Sequence, residues 1–340
     1  MNGLTRITTA LRCGIPDRVP LLEFIIDPTV YRAIVPEAAC QADFEEHFDF
    51  DAVGTGAKFR SVRENSDGTY FDEWGVLYRR TSEVISHPLR GPVECMRDLE
   101  KWKGPDPDAD HLYVALDSLV SRFKGQRAVF FHHRAAFMWS AYLHGIDNLL
   151  ADFLAEPELA HALLDKVLDI NLRIIRNAIR RGADVIVLGD DYADNSGPMM
   201  SPCVFQEFLL PRLRKTVETI HREGALVVKH TDGNIWKILD DIVETGADGL
   251  NPIEPSAGME LSEVKAHCGD RICLLGNIDC GHLLSKGTHE QVREAVQKCI
   301  EAGAVGGGFI LTSSNSIHSS VRPENYLAMI QAAKEFGSCY

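Results

Sequence analysis

No two cysteines stand in Cys-x-x-Cys spacing, and the nine at 13, 40, 95, 203, 268, 273, 280, 299 and 339 make an odd set. That argues against a four-cysteine zinc site and a disulfide framework and suits reduced cytosolic thiols. Long apolar runs are also missing. Stretches such as Val185–Leu188 and Ile272–Leu275 fall far short of the roughly 20 residues that a membrane helix needs. The opening MNGLTRITTALRCG has no continuous apolar stretch before a small-residue cleavage site, so no secretory signal is read and a cytoplasmic location is expected. Positive charge is scarce as well: 35 Lys and Arg face 49 Asp and Glu, for a formal charge of −14. Such a chain has little long-range attraction for phosphate backbones or anionic lipid, so neither nucleic acid nor membrane is expected as a partner. A local basic pocket for a small anion stays open. No Gly-x-Gly-x-x-Gly follows a strand to mark a nucleotide fold.

What is present is a rhythm of βα units. At 340 residues, the chain is long enough for two domains or for one α/β barrel. In its second half, Gly or Gly-Ala precedes a short apolar strand, and each strand runs into a polar cluster. Val185–Leu188 leads to Gly189-Asp190-Asp191-Tyr192, and Leu226–Lys229 to His230-Thr231-Asp232-Gly233-Asn234. Later strands lead to Asn251 and Glu254, to Asn277 and Asp279, and to Ser313 through His318. Amphipathic segments lie between them: Cys203–Arg222, Ile235–Thr245, Leu261–Cys268, Thr288–Ala302 and Pro323–Phe336. Ser201-Pro202 and Thr288-x-x-Gln291 signal helix starts. Near-continuous apolar strands alternating with helices imply a parallel sheet buried on both faces. Strands near 20, 52, 130, 186, 228, 250, 274 and 310 number eight. A single (β/α)8 TIM barrel over 1–340 is therefore expected, with an N-terminal extension (1–17) and a β-hairpin insertion at about 57–110; an open doubly wound sheet is the alternative.

In such a barrel, the strands' C-terminal ends make one rim and carry the active site. The rim would collect Glu23, Thr55, His132, His133, Arg134, Asp190, Asp191, His230, Asp232, Asn251, Glu254, Asn277, Asp279, Asn315 and His318. Glu23 sits in an otherwise apolar strand, where an unpaired carboxylate is costly. His132 and His133 point to opposite faces, so at most one looks inward. Asp190 or Asp191 can simply cap a turn, and Asn277 and Asp279 can fix loop backbone. His230-Thr-Asp232 places an imidazole and a carboxylate on one face. The pair can hold zinc, with Glu207 or Asp191 as third ligand, or act as an acid/base couple. Tyr192 is a candidate donor to substrate.

At these residues the chain resembles the uroporphyrinogen decarboxylase superfamily, which holds the haem-pathway decarboxylase and corrinoid-linked methyltransferases. The resemblance is carried by Ala10-Leu-Arg-Cys-Gly-Ile-Pro-Asp-Arg-Val-Pro20, Gly197-Pro-Met-Met-Ser-Pro202, Phe208-Leu-Leu-Pro-Arg212, Gly276-Asn-Ile-Asp279 and Pro323-Glu-Asn325. It runs from about Ile7 to Phe336 and implies the barrel and, more weakly, a homodimer. The family's decarboxylases have an Arg-Gln-Ala-Gly-Arg-Tyr-type stretch for substrate carboxylates where this chain has Leu21-Leu-Glu23-Phe-Ile-Ile-Asp27. A tetrapyrrole with eight carboxylates would meet acids there, which is electrostatically wrong. The thiol-directed methyltransferases bind zinc with His-x-Cys and a later Cys; the matching positions are His230-Thr-Asp232 and Ser313-Ser-Asn315-Ser316. The resemblance thus points to transfer of methyl from a small methoxy or methylamino donor to cobalamin on a corrinoid protein. His230, Asp232 and Asp191 would be catalytic, and Glu23, Tyr192, His133, Arg134, Glu254, Asn277, Asp279, Asn315 and His318 would bind substrate. The alternatives are decarboxylation of uroporphyrinogen or a smaller aromatic acid, and a non-catalytic binding protein.

Overall fold

The computed structural model describes residues 1–81 and 86–338, so residues 82–85 of the insertion and Cys339 lie outside the described residues. In chain order the strands are β1 (Ala52–Gly56), β2 (Ser61–Glu64), β3 (Thr69–Asp72), β4 (Leu77–Arg79), β5 (His87–Arg90), β6 (Ala128–His133) and β7 (Val185–Gly189). They continue with the two-residue β8 (Ala193–Asp194) and β9 (Gly197–Pro198), then β10 (Leu226–His230), β11 (Gly249–Asn251), β12 (Cys273–Ile278) and β13 (Phe309–Ser313).

A curled seven-stranded parallel sheet runs in the order β1-β6-β7-β10-β11-β12-β13. The stretch expected as a further strand near 20 is extended but short. Leu311 N donates to Pro20 O and Leu22 N to Leu311 O, while Asp51 N donates to Leu21 O, so this stretch touches both edge strands. Regular pairing stops there because Pro20 has no N–H and the N–H of Leu21 goes to the Asp51 side chain.

Apolar strands buried on both faces give two cores. Leu22, Phe130, Val185, Val187, Val228, Leu275 and Ile310 face the sheet's concave interior. The alternate residues, among them Phe131, Ile186, Leu188, Val227 and Leu274, pack under the surrounding helices. The N-terminal extension becomes a helix, Gly3–Leu11, capped by the Asn2 side chain. Ile7, Ala10 and Leu11 join the interior core, and Gly249 makes room for them, because a Cβ there would lie 2.9 Å from Leu11 and 2.8 Å from Leu275. Arg6 and Arg18 both bond the buried Asp51 and tie this floor to β1.

The insertion is larger than a hairpin. Strands β2 to β5 form a four-stranded antiparallel sheet. Gly68 (φ +81°) and Gly75 (φ +79°) make its turns, and Asp72 accepts the Trp74 and Val76 amides. Trp74 stacks on Trp139 at 4.3 Å between ring centroids and fastens the insertion to the helix Phe137–His144.

The helix expected over Cys203–Arg222 contains a π turn at Phe205–Leu209. Pro211 lacks the N–H that an α-helical turn would give to residue 207, and the wider turn absorbs the gap. Ser201 caps the start of this helix, and Thr288 and Gln291 form the expected capping box. The eight described cysteines are free thiols, and no described helix is long and apolar enough to cross a membrane.

Leu11 is 2% exposed in the floor. We expect Leu11→Ala to lower unfolding free energy by about 2–4 kcal/mol in denaturant titration; a loss within ~0.5 kcal/mol would show that the helix is not an integral floor.

Candidate functional site

Strand register decides which side chains meet. His230 lies level with Gly189 of β7 and Asn251 of β11. Every second residue faces the interior: Val228, His230 and Asp232 in one run, Val187, Gly189 and Asp191 in the next. Asp191, His230 and Asp232 consequently converge, with one ligand atom of each inside a 4.8 Å group. His230 Nε2 lies 3.5 Å from an Asp232 oxygen and 3.7 Å from an Asp191 oxygen.

The His230 ring is oriented from behind. Asn251 donates its Nδ2 to Leu275 O at 3.1 Å, which aims its Oδ1 at His230 Nδ1, 2.6 Å away. Nδ1 therefore carries the proton of the neutral ring, and the Nε2 lone pair points at two carboxylates. Asn315 Nδ2 donates to Asp232 Oδ2 at 2.7 Å, whereas Asp232 Oδ1 is buried without a partner. Burial raises the Asp232 carboxyl above its usual range; His230 opposes that rise, and Asp191 and Glu254 add to it.

The strand tips are locked together beneath these groups. The Lys229 ammonium, fully buried on the opposite face of β10, donates to Leu188 O at 3.3 Å, Asp190 O at 2.5 Å and its neighbour His230 O. Burial pushes it down to about 8. Asp190 in turn accepts the amides of Ala135, Ala136 and Met138 at the start of the helix Phe137–His144. Of the Asp pair, Asp190 is the cap and Asp191 faces the interior.

The cluster lies at the base of a cavity of about 500 Å³, well within the small-molecule range. His132 faces the same space, its ring 5.0 Å from that of Phe24. It fits there because β1 has Gly54, where a Cβ would sit 2.7 Å from its Nε2. Burial, with His230 and Lys58 nearby, pushes it down to about 3, so it is neutral. Glu23, 5% exposed, borders the cavity and accepts from Ser313 N, Ser313 Oγ and Thr312 Oγ1. Burial pushes its carboxyl up to about 7 against those hydrogen bonds. On the β1 and β6 side the wall carries Lys58, Arg134 and Trp139, with Tyr70, Asp72 and Tyr78 supplied by the insertion.

Asp191, His230, Asp232, Asn315, Arg134 and Glu23 thus share one cavity, as expected. Other expected residues do not serve it as read from sequence. Tyr192 is buried between Phe137 and Phe205, beneath Lys229. His133 borders the cavity, but its ring turns outward to Asn171 of the long helix Pro157–Arg181, at 2.9 Å. Asn277 bonds Ile253 O, because the backbone turns at Gly276 (φ +155°), where a Cβ would stand 2.1 Å from Pro252 O. Asp279 caps the next turn through the His282 and Leu283 amides. His318 accepts from Ser320 N, away from the cavity wall. Glu254 accepts from Gly233 N and Ser256 Oγ beside a shallow neighbouring depression. Glu207 lies on the outer surface, 63% exposed and 3.8 Å from His161, so it stands apart from His230; Asp191 is the carboxylate grouped with His230 and Asp232. Asn251's hold on His230, the inward His132 and the aromatic wall were not assigned from sequence. The run of aromatics at Tyr70, Trp74 and Tyr78 was the available signal for the wall.

The family model described as Uroporphyrinogen decarboxylase (URO-D) matches residues 81–336. A uroporphyrinogen decarboxylase of Vibrio vulnificus is 25% identical over 304 residues, spanning 85% of this chain and 76% of that one. Another, of Psychromonas ingrahamii, is 26% identical over 320 residues, spanning 89% and 84%. Among solved structures, a methyltransferase from Methanosarcina mazei superposes with a TM-score of 0.79 at 20% identity, covering 99% of both chains.

Two measurements check this geometry. Nitrogen-15 NMR should find the neutral His230 ring protonated at Nδ1, with the preference lost in Asn251→Ala; an Nε2-protonated ring in the parent chain would refute the assignment. Because burial raises the folded-state value of Glu23, the carboxylate form opposes folding. Its cost is absent below the unfolded value near 4.3, grows as pH rises towards about 7 and is constant above that. Glu23→Gln should therefore gain stability relative to the parent between pH 4.5 and 7, and a flat difference in paired denaturation curves would contradict this.

Proposed function

The chain belongs to the uroporphyrinogen decarboxylase family, and from that footing we propose that it is a methyltransferase moving a methyl group from a small methoxy- or methylamino-type donor to a corrinoid protein. One observation carries the reading: an imidazole lone pair, held by Asn251, faces two carboxylates at the base of a ligand-sized cavity. A lone pair facing two anions is repulsive unless a proton or a metal cation stands between them, and a bound metal satisfies all three groups at once. The separations of 3.5 and 3.7 Å match ligands about 2.1 Å from a shared tetrahedral ion, which stand roughly 3.4 Å apart. The unpartnered Asp232 Oδ1 fits the same role. Asp191, His230 and Asp232 would hold a zinc-type divalent ion. When bound, such an ion supplies Lewis acidity that polarises the donor's heteroatom.

This chain's own residues prepare that chemistry. Asn251 keeps Nε2 free, Asn315 holds the Asp232 carboxylate in place, and Lys229 fixes the strand tips that carry the cluster. The aromatic wall screens the donor from water, which strengthens electrostatic interactions inside. The heteroatom keeps the bonding electrons as the methyl leaves, so polarising it lowers the barrier. We also read the curled sheet with its Pro20–Leu22 bridge as one (β/α)8 barrel domain, working in the cytoplasm and pairing as a homodimer.

Decarboxylation is the second reading, favoured by the names of the relatives. The cavity border opposes an eight-carboxylate substrate: Glu23, Asp72, Asp191 and Asp232 outnumber Lys58 and Arg134. A smaller carboxylic acid would meet less repulsion.

Protein purified without chelator should carry or take up one equivalent of zinc by elemental analysis and calorimetry. His230→Ala should abolish uptake, and Asn251→Ala should weaken it about 10–100-fold. With a reduced corrinoid protein and a methoxylated or methylamino donor, methylcobalamin absorbance should appear. Failure across a broad donor panel would sink the methyl-transfer reading, and chelator-insensitive activity without metal would sink the zinc assignment.

A further inference from the structure

The cavity wall on the β1 and β6 side carries positive charge with no ion-paired counterion among the described residues. Neither Lys58 nor Arg134 forms an ion pair with a carboxylate among the described residues, although surface arginines such as Arg122, Arg173 and Arg181 do. The Arg134 guanidinium lies 5.6 Å from the Trp139 ring and 5.4 Å from the Tyr142 ring, with one long hydrogen bond of 3.4 Å to Tyr142 Oη. Its Nε is buried without a partner. A buried donor on a charged group is costly to leave unmet. Asp72 on this wall accepts the Trp74 and Val76 amides of its own turn through Oδ1.

Flat surfaces surround this charge. Tyr70 stacks on Tyr78 with centroids 5.5 Å apart, and Trp139 stacks on Trp74. Tyr70, Tyr78, Trp139 and Phe59 border the cavity beside Lys58 and Arg134. Glu23, Asp191 and Asp232 border the same space.

We propose that this wall is a subsite for an aromatic monocarboxylate, with the carboxylate on Arg134 and Lys58 and the ring against the tyrosine and tryptophan faces. Resting on the methyl-transfer reading, it names the donor class: an aromatic acid whose methylated oxygen or nitrogen reaches the Asp191–His230–Asp232 cluster. A planar guanidinium matches a carboxylate, and the aromatic faces select a flat body over a puckered one.

Calorimetry on the full chain tests it with benzoate, its neutral isostere benzamide and the non-planar cyclohexanecarboxylate. Benzoate should bind at least about tenfold more tightly than either analogue. Arg134→Met and Lys58→Met should each erode the preference for benzoate over benzamide, with circular dichroism checking that the variants fold. Equal binding of benzoate and benzamide by the parent chain overturns the proposal without reference to any variant. A preference that survives in correctly folded Arg134→Met overturns it as well. The parent reading fails separately: preferential benzoate binding without methyl transfer from any methoxybenzoate, methylaminobenzoate or neutral donor keeps the subsite and removes the methyltransferase. Methyl transfer from neutral donors with no preference for benzoate does the reverse.

Discussion

A buried ammonium holds the working end of this molecule together. Lys229 extends away from the cavity and spends its three hydrogens on carbonyls at the tips of β7 and β10. Those tips carry Asp191 on one side and His230 and Asp232 on the other. Asp190 passes the constraint to a third strand by capping the helix that follows β6. The strand tips beneath the cluster are thus set by groups that face away from the cavity, and the full burial of Lys229 shields those bonds from competing water.

The same division explains what could be read from the amino-acid order. Period-two alternation puts His230 and Asp232 on one face, and the structure agrees. Carried one step further along β7, it also separates Asp191 from Asp190 and Tyr192. Tyr192 therefore falls on the outer face, where its ring is packed among Phe137 and Phe205 and away from substrate. Alternation fails at Asn277, where the backbone turns at Gly276 beside the Pro252 carbonyl. No local pattern announces that close approach. The grip of Asn251 on His230 depends on register between β10 and β11, which is a property of the folded sheet. Helical position alone does not say which way Glu207 faces, and the structure puts it on the outer surface.

The order of βα units was legible because strands buried on both faces must be apolar throughout. The stretch near 20 was harder. Its apolar character marks it as interior, but Pro20 and the Asp51 side chain limit it to a few bonds with each neighbouring edge. Arg6, Arg18 and Asp51 join this stretch to the N-terminal floor. The extension therefore closes the interior from below, so the C-terminal rim is left to carry the site.

The insertion belongs to neither layer. Its strands pair with one another and not with the parallel sheet, and the Trp74–Trp139 stack is a main anchor. Tyr70 and Tyr78, which border the cavity, stand on this separate sheet. The strand tips that position His230 lie elsewhere. Part of the cavity's aromatic border and the Asp191–His230–Asp232 cluster accordingly stand on different parts of the chain. Substitutions on one small antiparallel sheet would reshape the cavity's border while Asp191, His230 and Asp232 stay in register on the parallel strands.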